Sequence, residues 1–111
     1  MDEHNINDIR MAIRDVCKGY GSDYWQKLDK DRAYPHEFVD EMTRLGWLGA
    51  LVPEEYGGGG MTVTEGAVIL EEVNRSGGHA AGCHAQMYTM GIVLKHGNED
   101  QKTRYLPGIA D

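Results

Sequence analysis

The sequence predicts an all-α fold: a compact bundle of about six helices with one buried irregular crossing. Three observations predict it. Apolar residues recur at helical spacing in six segments, each bounded by a cap residue, a glycine or a proline. No strand-like run extends beyond Leu48–Val52. Between the third and fourth helical segments, Gly46–Gly60 cannot be helical, because Gly46, Gly49, Pro53 and four successive glycines interrupt it. Yet Trp47, Leu48, Leu51 and Val52 are too apolar for a free linker, so this stretch is expected to be ordered and largely buried.

The first helix is expected over residues 5–18. Ile6, Ile9, Ile13, Val16 and Cys17 form its apolar face, Asn5 or Asn7 can cap it, and Gly19 and Gly21 end it. Ser22 can cap a short second helix over 23–31, carrying Tyr24, Trp25 and Leu28, with Lys27–Arg32 as a solvated charged face. Pro35 suits the first turn of a third helix over 35–45, with Phe38, Val39, Met42 and Leu45 inward and Gly46 at the C′ position.

After the crossing, Thr62 and Glu65 form a capping box for a fourth helix ending near Arg75. Residues 79–96 form the longest candidate, apolar almost all round and rich in small residues, which predicts burial on several sides. Asn98 with Gln101 caps a last helix over 99–106, which Pro107 and Gly108 are expected to stop.

Composition narrows the function classes. The 111 residues suit one small domain, and 41% of them are hydrophobic, as in a globular protein. Eighteen acidic against 11 basic residues give a net charge of −7. That balance argues against a nucleic-acid surface and an anionic membrane surface. Cys17 and Cys83 lack metal-ligand or redox-motif spacing, so they read as reduced, buried cysteines in a cytoplasmic protein. No apolar run approaches the ~18 residues of a spanning helix.

Taken singly, the chemical signals are weak. The glycines at 57–60 lack a GxGxxG or GK[ST] pattern, and Glu54 and Glu55 put negative charge where a phosphate would dock, so a tight turn is expected. Glu71 and Glu72 point about 100° apart on a helix; both are expected at the surface. His79, Cys83 and Met87 share one helix face at i, i+4, i+8, but three ligands on one helix make a poor metal site, so none is expected.

Five pieces in order carry a resemblance: Tyr34-Pro35-His36-Glu37-Phe38-Val39, Gly46-Trp47-Leu48-Gly49, Val52-Pro53-Glu54-Glu55-Tyr56-Gly57-Gly58, Ile69-Leu70-Glu71-Glu72-Val73-Asn74-Arg75, and His96-Gly97-Asn98-Glu99-Asp100-Gln101-Lys102 with Tyr105-Leu106-Pro107. Together they resemble the N-terminal domain of the acyl-CoA dehydrogenases, and residues 1–33 agree more loosely as a leading helix. The resemblance implies that 1–111 is an N-terminal helical domain without the family's middle β-domain and C-terminal α-domain. It implies an FAD-dependent oxidation of the Cα–Cβ bond of an acyl-CoA, with electrons passed to an electron-transfer flavoprotein by what is commonly a homo-tetramer. The catalytic glutamate and most of the flavin site belong to the other two domains, so this chain alone is expected to be inactive.

The resemblance also places His84, Ala85, Met87 and Tyr88 on the wall of the acyl cavity. His84 and Tyr88 are large and polar for such a wall, which points to a shorter or functionalised acyl group. The alternative is a stand-alone helical interaction module that uses an exposed apolar face on 83–94 to associate with a partner, one form of which complements the missing domains in trans.

Overall fold

A computed structural model describes residues 3–111, with side chains from residue 5 onward. Among the described residues there are six helices and no strands: α1 (Glu3–Cys17), α2 (Ser22–Asp31), α3 (His36–Arg44), α4 (Val63–Arg75), α5 (Ala81–His96) and α6 (Glu99–Ala110). A short 3-10 turn, Glu54–Tyr56, lies within the crossing. α1 packs along α4, and α6 packs on α5 and on the 3-10 turn.

The main core joins Ile9, Ile13 and Cys17 of α1 to Phe38 and Met42 of α3, and to Val68, Ile69 and Val73 of α4. Cys83 and Met87 of α5 complete it. A smaller core of Val52, Met90 and Leu106 fastens α6. α2 buries no residue fully. It is held instead by edge-to-face contacts running through Tyr20, Tyr24, Trp25 and Phe38, with centroids 4.9–5.3 Å apart. The Tyr20 hydroxyl donates to Glu41 Oε2 at 2.6 Å. That bond to a carboxylate, with some burial, pushes the Tyr20 phenol up to about 12. The charged face of α2 is solvated as expected, and Lys27 pairs there with Asp31.

The crossing is ordered and buried: Leu48, Ala50 and Val52 are 5%, 1% and 0% exposed. It starts with a Schellman motif, in which Gly46 N–H donates to Thr43 O and Trp47 N–H donates to Met42 O, with Gly46 at φ +87°. The glycine run then doubles back over the apolar half. Gly59 N–H donates to Gly49 O, Gly60 N–H to Val52 O and Met61 N–H to Ala50 O, at 2.8–3.1 Å. The glycines are therefore a matter of close backbone approach.

Both capping boxes form, Thr62 with Glu65 and Asn98 with Gln101. Glu65 Oε1 accepts from the Thr62 backbone at 2.9 Å, and that bond leads in holding the Glu65 carboxyl below its usual range. Thr62→Ala is expected to cost about 1 kcal/mol, which a urea melt would register as a lower midpoint with an unchanged slope.

Several local expectations are corrected. α1 begins before Asn5, whose amide donates to Glu65 Oε2 on α4 and does not cap its own helix. Ser22 is the first residue of α2, and Gly21 occupies the cap position with no side-chain bond. Pro35 stands just outside α3. α5 starts at Ala81, two residues late, because His79 Nδ1 accepts from Ala81 N–H. Pro107 does not stop α6, which continues to Ala110. Ile109 and Ala110 pack against the small core, and Ala110 lies so close to Gly49 that a Cβ there would meet its backbone at 2.8 Å. That packing outweighs the one helical bond the proline cannot make.

Glu72 is the largest correction. It is 1% exposed, not a surface residue. Its carboxylate accepts from Arg14 Nε at 2.8 Å and from Arg10 at 2.8 Å, joining α4 to α1. Glu71, at 63% side-chain exposure, also reaches Arg10 at 2.8 Å, so one long guanidinium spans the divergence between adjacent positions.

Candidate functional site

α5 carries the residues singled out for ligand contact. The helix has two unlike sides. Cys83, Met87 and Met90 point inward and are 1%, 7% and 2% exposed. Burial pushes the Cys83 thiol up to about 11, which leaves it protonated and inert at neutral pH. Cys17 is likewise free and buried. The opposite side is open to solvent, contrary to the burial its composition suggests. Tyr88 and Ile92 are 55% and 60% exposed, and Ala81 and His84 are exposed with them.

The structure thus divides His84, Ala85, Met87 and Tyr88. His84 and Tyr88, one helical turn apart, meet edge to face with ring centroids 5.2 Å apart. Ala85 lies beside them, half-buried, on the edge of a groove shared with Val39, Thr43 and Leu48. Met87 belongs to the main core. Ile92 extends the exposed strip and was legible at i+4 from Tyr88. Tyr34, 51% exposed, reaches α5 from the loop before α3. Gln86 donates from Nε2 to Ile109 O at 3.2 Å and ties this side of α5 to the end of α6.

The rest of the surface offers little chemistry of its own. Among the described residues no three His, Cys, Asp or Glu side chains gather as metal ligands. No helix among them is long and apolar enough to cross a membrane. The best-buried carboxylate, Glu72, is held at about 2 by Arg14 and Arg10 and so is no proton acceptor at neutral pH. The Gly57–Gly60 amides turn back on the crossing, and Glu72 lines the cleft between Arg14 and Arg75 and pairs with both.

The fold is an all-α domain with an irregular glycine crossing, and its longest helix carries an exposed strip that includes His84, Tyr88 and Ile92. The chain belongs to the acyl-CoA dehydrogenase family: the sequence profile described as "Acyl-CoA dehydrogenase, N-terminal domain" matches residues 3–111. It is 40% identical over 106 residues to acyl-CoA dehydrogenase FadE12 of Mycobacterium tuberculosis (strain ATCC 25618 / H37Rv), covering 93% of this chain and 27% of that protein. It is 34% identical over 106 residues to mitochondrial isovaleryl-CoA dehydrogenase of Bos taurus, covering 91% of this chain and 25% of that one. A probable acyl-CoA dehydrogenase of Bacillus subtilis (strain 168) is 46% identical over 68 residues, 60% of this chain and 11% of its own. The chain thus spans about a quarter of the length of the first two. No solved structure matches it at comparable significance.

Proposed function

We propose that residues 1–111 are the N-terminal α-domain of an FAD-dependent acyl-CoA dehydrogenase, and that the outward side of α5 walls its acyl pocket. The observation that carries this is the strip of Ala81, His84, Tyr88 and Ile92, open to solvent with Ala85 half-buried beside it, on a helix whose other side is core. Exposed apolar surface of this kind marks a contact face. In the proposed enzyme the flavin, the proton-abstracting glutamate and most of the subunit contacts come from other segments, and electrons leave to an electron-transfer flavoprotein. The flavin would supply hydride acceptance; this chain's residues bind and orient the acyl group and keep water from it. His84 and Tyr88 offer hydrogen-bonding edges, which suits a short or functionalised acyl group. The working compartment is the cytoplasm, and the full protein is a homo-oligomer.

The same strip would serve a stand-alone interaction module, so the decisive step is to isolate and express the complete reading frame that contains these residues. The expected product shows a flavin spectrum and reduces a dye with short acyl-CoAs. Tyr88→Ala in that protein shifts the ratio of kcat/KM between short and longer acyl groups by about tenfold, while Val63→Ala, remote on α4, leaves it unchanged. A frame that closes directly after Asp111, or a full protein without acyl-CoA turnover, would leave the interaction module as the surviving account.

A further inference from the structure

A cleft of about 370 Å³ opens between α2, the loop before α3 and the start of α5. Its volume lies at the small end of the range for ligand pockets. Trp25, Leu28 and Tyr34 give it apolar walls, and Asp29, Arg32 and His79 form its polar lining. Of the exposed strip on α5 only Ala81 reaches it. Two of the walls are fixed in place. Trp25 Nε1 donates to Tyr20 O at 3.1 Å, and the indole lies so close to Gly78 that a Cβ there would meet Cζ2 at 2.9 Å. Tyr34 rests on Gly82, where a Cβ would meet its Oη at 3.2 Å. The Tyr34 ring also meets His36 edge to face, with centroids 4.9 Å apart.

The charges of this cleft are unmatched. Asp29 and Arg32 stand one helical turn apart with opposite signs, yet among the described residues neither enters an ion pair. Lys27 and Asp31, on the same helix, do pair. Arg32 closes α2 in the left-handed conformation at φ +53°, which no other non-glycine among the described residues adopts. His79 Nδ1 accepts from Ala81 N–H at 3.2 Å, so the neutral ring carries its own proton on Nε2 and has a donor to offer. The cleft thus presents a carboxylate, a guanidinium and an imidazole N–H beside two aromatic rings. A simple carboxylate is opposed by Asp29, and a simple amine by Arg32. A molecule that carries both charges close together, with an apolar remainder, is opposed by neither. An α-amino acid is such a molecule, since its ammonium and carboxylate share one carbon.

We propose that this cleft binds a free α-amino acid with an apolar side chain. Asp29 takes the ammonium, and Arg32 with His79 takes the carboxylate, for which the forked guanidinium is the matching donor. The side chain lies against Trp25, Leu28 and Tyr34. The site is separate from the acyl wall and stands or falls without it.

The test titrates this chain, isotopically labelled, with leucine and follows the Trp25 indole N–H by NMR. Leucine is expected to shift that signal saturably and to bind about tenfold tighter than alanine, through partial burial of its longer side chain. Isocaproate, which lacks only the ammonium, and leucine amide, which lacks the free carboxylate, are each expected to bind at least about tenfold more weakly than leucine. Asp29→Asn and Arg32→Gln weaken leucine by a similar factor, whereas Lys27→Gln on the same helix leaves it unchanged. All three positions are exposed, and the amide spectrum of each variant reports that it is folded. Isocaproate binding as tightly as leucine overturns the amino-acid site, as does leucine binding that both Asp29→Asn and Arg32→Gln leave unchanged. The absence of a saturable indole shift up to the solubility of leucine overturns it as well. None of these results bears on the acyl wall.

Discussion

Gly58→Ala is expected to be the most damaging single-methyl change in the chain. A Cβ at Gly58 would sit 2.1 Å from Val52 O and 2.4 Å from Val52 Cβ. Neither can yield cheaply. Val52 is fully buried in the small core, and its carbonyl accepts from Gly60 N–H at 2.8 Å. The glycine run would have to lift from the apolar half of the crossing and lose the backbone bonds at Gly49, Ala50 and Val52. Overpacking usually costs about 1–3 kcal/mol, and a backbone clash this close belongs at or above the top of that range. Gly91→Ala is the matched control. It lies mid-helix on α5 with nothing within 4 Å of the added Cβ, and is expected to gain about 0.5–1 kcal/mol. Thermal melts of the two variants should therefore move in opposite directions.

The second large effect is at Glu72, and it depends on pH. The carboxyl has an ordinary value of 4.5 and is lowered to about 2 in the folded chain, first by the Arg14 bond and then by Arg10. Because the folded value is depressed, the stabilisation is fully present above the ordinary value. It is lost as pH falls from about 4.5 through about 2. Glu72→Ala at neutral pH leaves Arg14 without its carboxylate and Arg10 with only the exposed Glu71, both guanidiniums being partly hydrated at 46% and 27% exposure. The expected loss is about 2–3 kcal/mol, at or just below the foot of the range of about 3–5 kcal/mol for breaking a buried pair, because the groups left behind are hydrated. The acid limb of a stability–pH curve should also flatten in that variant. Removing both arginines strands a buried carboxylate and should cost more, about 3–5 kcal/mol.

These two sites also show what the sequence made legible. The crossing was readable because glycine and proline forbid helix while Trp47, Leu48 and Val52 demand burial. Both capping boxes were readable because their spacing is local. What the glycine run packs against was not, because Gly58 meets Val52 only after the chain folds back. Glu72 was misread for a related reason. An acidic residue on a helix beside a second acid looks solvated, and its partners lie 58 and 62 residues earlier in the chain, on α1. Pro107 was misread because local rules place a stop there, whereas packing of Ile109 and Ala110 on the crossing carries the helix on.

The candidate site was half legible. His84, Ala85, Met87 and Tyr88 came from resemblance, and composition alone made α5 look buried all round. The structure separates an inward side, with Met87, from an open side that also holds Ile92, and it brings up Tyr34 from a loop some 50 residues away in sequence. No periodicity within α5 could announce Tyr34. Gly82, the small residue that admits it, was visible but reads equally as ordinary close helix packing.

The central claim is that the open side of α5 receives an acyl group. The most direct measurement is an amide NMR titration of this chain with butanoyl-CoA, mapped residue by residue. The account predicts the largest shifts at Ala81, His84, Ala85, Tyr88 and Ile92, with Met11 and Val63, exposed apolar residues elsewhere, unmoved. Shifts centred on Met11 or Val63, or spread evenly over the surface, would contradict it.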